Sequence, residues 1–252
     1  MNHQHAEAVE PFWEEHYARR ERVWSGRANQ VLVAEMDGAE PGVALDLGCG
    51  EGGDAIWLAA NGWQVVAIDV STTALRRGAA DARAAGVADR IEWQAHDLAQ
   101  WSPDRDFDLV SAQFLHSPLP LPREDILKTA AAAVVVGGTL LVVGHAEVPP
   151  WAPHAVSPPR FPTSAEVYDA LALPAGDWQI ERCEESPRDA TAPDGRPATL
   201  LDHVLRLRRI DGSSSSPPPA AADLGAIRPI PPSGHGSSRI RNSQDPVRPM
   251  MR

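Results

Sequence analysis

Asp46 and the glycines that follow it are the residues of this sequence best suited to chemistry. Residues 44–54 read Ala-Leu-Asp-Leu-Gly-Cys-Gly-Glu-Gly-Gly-Asp. An apolar run from Val43 to Leu45 ends in a carboxylate, passes through Gly48, Gly50, Gly52 and Gly53, and enters a helical pattern at Ala55, Ile56, Leu58 and Ala59. That order reads as strand, tight turn, helix. Glycine lets the backbone take positive φ and press against a ligand, and the free amides that open a helix attract negative charge. A small anionic or zwitterionic cofactor is expected here.

Gly48, Gly50 and Gly53 also satisfy G-x-G-x-x-G, which with Asp69 about 20 residues on is a dinucleotide pattern. Asp46 argues the other way. A carboxylate at a strand's end repels a diphosphate but attracts an ammonium or a sulfonium. A turn whose glycines serve packing alone is the plainer alternative.

Asp46-Leu-Gly-Cys-Gly-Glu-Gly52 resembles motif I of the class I S-adenosylmethionine-dependent methyltransferases. The likeness in element order covers about residues 12–210. It implies that the loop wraps the methionine end of S-adenosyl-L-methionine. It also implies that Asp69, closing Trp63–Asp69, holds the ribose hydroxyls, and that Asp97, in Ile91–Leu98, lies near the adenine. The implied cofactor contacts are Tyr17, Trp24, Asp46, Gly48, Cys49, Gly50, Asp69, Val70, Asp97, Leu98 and Gln113. The amino-terminal stretch, with Trp24-Ser25-Gly26, resembles that of the tellurite-resistance and thiopurine-type small-molecule methyltransferases. There this segment borders the cofactor.

The elements that must position these groups alternate from Val43 to Gly144, which predicts βαβ units on a parallel sheet. Fourth and fifth strands are expected at Phe107–Gln113 and Thr139–Gly144, with a helix ending over Ala130–Val136 before Gly137-Gly138. Asp46, Asp69, Asp97 and Gln113 then all fall at strand carboxyl ends, the edge where open α/β sheets bind ligands. Residues 146–162 hold six prolines and read as a rigid, irregular segment. Thr163-Ser-Ala-Glu166 predicts a capped helix start, with the helix running to about Leu173. Trp178–Cys183 and Leu201–Ile210 read as a closing antiparallel pair joined by a polar, proline-bearing connection. Ahead of the first strand, Trp13 and Tyr17 share a helix face at i and i+4, so residues 1–30 read as a helical lid or as a helix packed on the sheet. From Asp211 to Arg252 the composition, rich in Ser and Pro, predicts a disordered tail.

Composition bounds the function. The 252 residues carry a formal net charge of −11 with no basic run, a poor match to a nucleic-acid backbone. Two cysteines, Cys49 and Cys183, are too few for a disulfide framework and fit a reducing, cytoplasmic setting. Thr129–Gly144 is shorter than the ~18 residues of a membrane span, and no signal peptide is evident at the amino terminus. Metal-ligand spacing is absent, so no metal is expected.

Methyl transfer from a sulfonium asks mainly for alignment, and a base matters only when the acceptor must lose a proton. His116 and His145, beyond the fourth and fifth strands, are the acceptor-side candidates. His116 is the one expected to act, against the alternative of a hydrogen-bonded loop histidine. The fourth-strand tail, Ser111-Ala-Gln-Phe-Leu-His-Ser-Pro118, lacks the Asn/Asp-Pro-Pro-Tyr/Phe run of nucleic-acid amino-methyltransferases, so a small-molecule acceptor is expected. The sequence reads as a doubly wound, mostly parallel α/β, Rossmann-like methyltransferase domain over 31–210 with a carboxyl-terminal antiparallel hairpin. The rivals are an NAD-type oxidoreductase and a non-catalytic S-adenosylmethionine-binding scaffold.

Overall fold

Seven strands form one sheet in the order β3-β2-β1-β4-β5-β7-β6. The computed structural model describes residues 3–151 and 160–212, with the backbone alone for residues 3–8. All but two residues of the expected tail, and residues 152–159 of the proline-rich segment, lie outside the described residues.

The elements in chain order are α1 (His3–Ala18), α2 (Gln30–Met36), β1 (Val43–Leu47), α3 (Gly53–Ala60), β2 (Gln64–Asp69), α4 (Thr72–Ala84) and β3 (Ile91–Ala95). They continue as β4 (Phe107–Gln113), α5 (Arg123–Ala132), β5 (Val134–His145), α6 (Ser164–Leu171), β6 (Trp178–Thr191) and β7 (Pro197–Arg209). β1 pairs in parallel with β2 and β4, β2 with β3, and β4 with β5. β7 runs antiparallel to both β5 and β6. The doubly wound α/β fold with its closing hairpin is the one the sequence predicts.

Burial follows from the residue pattern. β1, β2, β4 and β5 are apolar on both faces, as strands covered on both sides must be. One face packs Leu45, Leu47, Val66, Val110 and Leu140 against Ile126 and Leu127 of α5 and Val167 and Leu171 of α6. The other packs Ala44, Val65, Leu109, Leu141 and Val143 against Leu32 and Met36 of α2 and Leu58 of α3. Such strands fix the carboxyl-end loops, where the polar residues gather.

Two boundaries differ from the sequence expectation. α5 stops at Ala132, and Val134 already pairs with Phe107, so Val134–Val136 is strand rather than helix end. Gly137, at φ 85°, then absorbs a register shift that brings Leu109 opposite Thr139. The closing hairpin is also longer than expected. Residues 184–191 and 197–200, read as connection, pair from Glu184↔Val204 to Thr191↔Pro197. Pro187 fits because β6 ends the sheet, and a proline is tolerated where no ladder donor is needed. The α6 start matches: Thr163 accepts from the Glu166 amide and Glu166 accepts from the Thr163 amide, a complete capping box.

Candidate active site

The Asp46 loop occupies the carboxyl edge between β1 and α3. Gly50 and Gly52 have φ 54° and 78°, values that L side chains rarely adopt. A Cβ on Gly50 would come within 2.9 Å of the Tyr17 hydroxyl, and one on Gly52 within 2.3 Å of the Trp93 ring. Glycine is therefore required at both for space as well as for backbone angle.

Four carboxylates surround this turn. Asp69 is 8% exposed. Its Oδ2 accepts from the Gly50 amide and its Oδ1 from the Ser71 amide, both at 2.9 Å. Burial raises its pKa, and the amides of Ser71, Gly50 and Val70 only partly offset that. Asp46 is 2% exposed, and its Oδ2 has no partner among the described residues. Burial, then the neighbouring Asp54 and Asp69, push its carboxyl well above the usual range. Burial likewise raises Asp54 to about 6 despite its bond from the Asn29 amide at 2.6 Å. A buried, unpaired oxygen in an acidic cluster calls for a cation.

Glu51, the fourth, has a structural partner set. Its carboxylate is 3% exposed, accepts from the Val23 amide at 3.2 Å and the Trp24 amide at 3.0 Å, and pairs with Arg77 at 2.9 Å. Arg77 also donates to the Tyr17 and Arg20 carbonyls. From α1, Glu14 reaches Thr72 Oγ1 and the Thr73 amide at the start of α4. These contacts hold the amino-terminal stretch against the glycine loop. Tyr17 is 3% exposed and receives the Trp24 indole N–H at 3.1 Å. Burial and then Asp69 keep its phenol protonated well beyond its ordinary range.

The remaining expected contacts are spread along the same edge. The Cys49 thiol is raised by burial and by Asp46, so it is no nucleophile. Asp97, in the turn after β3, accepts from the Ala99 amide and Gln100 Nε2, with Leu98 buried beside it. Gln113 donates to Ser111 Oγ at 3.0 Å, while its Oε1 is buried without a partner among the described residues. Trp24 is 55% exposed and Val70 is half-buried.

On the acceptor side, His116 departs from the expected role. Its Nε2 accepts from the His145 backbone amide at 3.2 Å, so the ring proton sits on Nδ1 and the basic lone pair is engaged. Burial, then the nearby Arg123, lower its pKa to about 4. His116 is thus the hydrogen-bonded loop histidine of the alternative reading rather than a base poised near neutrality. Around it lie His203, Arg123 and Arg188, which the sequence did not single out, together with Phe114. His203 and Arg123 are buried and meet at 3.4 Å, and His203 is likewise lowered to about 4 by burial and by Arg123. Phe114, directly after β4, has φ 51°, a strained value for an aromatic residue and typical of functional sites. Arg188 of β6 lies 5.4 Å over the Phe114 ring and also binds Asp202. Among the described residues no group of three or more His, Cys, Asp or Glu could hold a metal ion, and no helix is long and apolar enough to cross a membrane.

The sheet order and the Asp46 loop define a class I methyltransferase fold. Residues 44–138 match the family described as "Methyltransferase domain". A ribosomal RNA small subunit methyltransferase C of Alcanivorax borkumensis is 38% identical over 64 residues, 24% of this chain and 20% of that protein. The chain thus spans only a fifth of that relative's length. Thiocyanate methyltransferase 1 of Brassica oleracea is 25% identical over 174 residues, 68% of this chain and 74% of the relative. Among solved structures, one from work on converting a disulfide into a thioacetal during echinomycin biosynthesis has a TM-score of 0.63 at 24% identity, covering 80% of this chain and 93% of that one. TehB from Haemophilus influenzae gives 0.59 at 18% identity, covering 78% and 66%. Both structural likenesses concern the fold.

Proposed function

We propose that this chain transfers a methyl group from S-adenosyl-L-methionine to a small-molecule acceptor. When bound, the cofactor supplies a methyl already activated on a sulfonium. The observation that carries the reading is the unpartnered, buried Asp46 Oδ2, which suits an ammonium and would repel a dinucleotide's diphosphate. Asp46 would hold the amino-acid end, Asp69 the ribose hydroxyls, and Asp97 with Leu98 the adenine. Tyr17 and Trp24 close the site from the lid and exclude water.

On the acceptor side, Phe114, Phe161, His116 and His145 form an aromatic cluster with ring centroids 4.6–5.5 Å apart. Such a wall suits a small, partly apolar acceptor. The net charge of −11 argues against a polynucleotide. The plant relative named for thiocyanate favours a small sulfur nucleophile over RNA, because that match runs along most of both chains.

Calorimetric titration of the full chain with S-adenosylhomocysteine and with NADH tests the donor. Tight binding of the first and none of the second is expected, and the reverse overturns the reading. Turnover of labelled S-adenosylmethionine against thiols, phenols, amines and metalloid oxyanions then separates an enzyme from a binding scaffold, which would bind and never turn over.

A further inference from the structure

β5 ends at the carboxyl edge with His145 directly opposite Asp202 of β7 in the antiparallel register. Asp202 is fully buried, whereas the His145 side chain is 31% exposed. His145 Nδ1 lies 3.5 Å from Asp202 Oδ1, at ion-pair distance, and that oxygen has no hydrogen-bond partner among the described residues. The other oxygen, Oδ2, is held by Arg188 Nε. Although burial pushes the Asp202 carboxyl up, His145 and Arg188 more than offset it and keep the group ionised.

The imidazole is fixed on its other sides as well. The Phe114 ring lies 4.6 Å away, the His116 ring stacks at 5.4 Å with 11° between planes, and Phe161 meets it edge-on at 5.5 Å. The His145 backbone amide is tied to His116 Nε2. With Asp202 Oδ1 beside Nδ1, the Nδ1–H tautomer is favoured and the lone pair is left on Nε2, the arrangement by which a histidine serves as a base. His145 Nε2 has no hydrogen-bond partner among the described residues.

We propose that His145 is the general base of this site, with Asp202 as its positioning residue, and that the acceptor is a protic nucleophile of thiol or phenol type. The inference rests on the methyl-transfer reading above. The acceptor's X–H proton passes to His145 Nε2 while the X lone pair forms the new X–C bond. The electron pair of the broken S–C bond stays on sulfur, and the imidazolium, paired with Asp202, later releases its proton to water. A thiol or phenol has a pKa within a few units of an imidazole's, so its proton can pass to histidine at little cost. An alcohol's proton would have to move in concert with attack, which favours the thiol or phenol class. The titratable groups that interact with His145 are His116 beyond β4 and Asp202 and His203 of β7, with Arg188 of β6 on Asp202 and Arg123 of α5 and Glu185 of β6 acting on His203.

The primary test needs no acceptor. In the ¹⁵N-labelled full chain, side-chain NMR at neutral pH should show His145, assigned by its loss in His145→Gln, as the Nδ1–H tautomer. Asp202→Asn should weaken that preference. An Nε2–H tautomer overturns the proposal. Should Asp202→Asn fail to fold, diethylpyrocarbonate mapping of the unaltered chain replaces it: Nε2 of His145 should react well before His116 and His203, and equal or inverted reactivity overturns the assignment.

Turnover is the second readout. With phenol, un-ionised at neutral pH, His145→Gln should lower kcat by about 100-fold at unchanged KM. With pentafluorothiophenol, already ionised, the loss should stay within about threefold because no proton has to move. Equal losses on both probes overturn the base role. S-adenosylhomocysteine titration of His145→Gln keeps the two ideas apart, since intact binding with the tautomer wrong sinks the base alone, and absent binding in the unaltered chain sinks the methyl-transfer reading.

Discussion

The two halves of the sheet's carboxyl edge are built on opposite plans. From β1 to β3 the polar groups are fastened: Asp69 caps two loop amides, Glu51 grips the Val23 and Trp24 amides and Arg77, and Glu14 crosses to α4. Asp46 stands apart among these carboxylates, its Oδ2 buried without a partner among the described residues. From β4 to β7 the side chains are aromatic, imidazole and guanidinium, with orphaned atoms on Arg123 (Nε), His203 (Nδ1) and Asp202 (Oδ1). A fastened half suits a ligand of fixed chemistry, and a looser half suits an acceptor that differs from one enzyme to the next. The difference lies in hydrogen-bond saturation rather than in burial, since Arg123 and Asp69 are equally exposed at 8%.

The sharpest way to break this contrast is Asp69→Ala. Two charge-assisted ribose bonds of about 1.5–3 kcal/mol each would be lost, so S-adenosylhomocysteine affinity should fall by more than about 100-fold in a calorimetric titration. Asp97→Ala should cost less, because a contact to the adenine amino group is a single hydrogen bond where the ribose diol makes two. Unchanged affinity in Asp69→Ala would mean that the fastened half is mere scaffolding.

Glu51→Ala comes next. It leaves the Val23 and Trp24 amides without an acceptor and Arg77 with only its two carbonyl partners, and breaking a buried pair from one side costs up to about 3–5 kcal/mol. Thermal melting should fall by well over 5 °C, and the Trp24 emission should shift as the amino-terminal stretch loosens. A melt within a degree of the unaltered chain would show that α1 docks through apolar contacts alone.

Asp46→Asn should act with opposite signs on stability and affinity. A carboxyl raised in the fold costs stability at every pH above its unfolded value, so removing the charge should raise the ligand-free melting point at pH 7. Cofactor affinity should meanwhile drop by about 10-fold or more as the ammonium loses its partner. Gains in both would remove Asp46 from the site.

The smallest effect concerns pH. His116 and His203 sit at about 4 in the fold against about 6.5 when unfolded. The unfolded chain therefore takes up protons first, and stability should decline as pH falls from about 6.5 to about 4. Arg123→Met should flatten that decline in acid melts, because the guanidinium is the second cause of both shifts after burial. An unaltered slope would make desolvation the sole cause.

Much of the first half was legible because its signals are local. Asp46-Leu-Gly-Cys-Gly is a contiguous run, β4 matches Phe107–Gln113 residue for residue, and the Thr163–Glu166 box spans one turn. The second half depends on pairing between distant strands. Nothing within a few residues of His145 points to Asp202, and only the β5–β7 register sets them opposite. Glu51 stood in the quoted motif, yet its partners are main-chain amides 27 and 28 positions away. Such groups carry no side-chain pattern. The Val134 boundary was hidden because Ala130–Val136 is equally apolar as helix end or as strand.

Pro187 hid the length of β6 from the sequence reading, and the same residue bears on how copies of this chain behave together. A 14-residue strand at the end of a sheet offers a row of main-chain groups to which another chain's strand could add. Pro187 deletes one donor from that row, and Glu181, Arg182, Glu184, Glu185, Arg188 and Asp189 set charges along it. Strand addition would have to skip a rung and desolvate these charged side chains. The long hairpin can therefore carry Asp202 and Arg188 to the acceptor side without turning the sheet's end into a template for self-association.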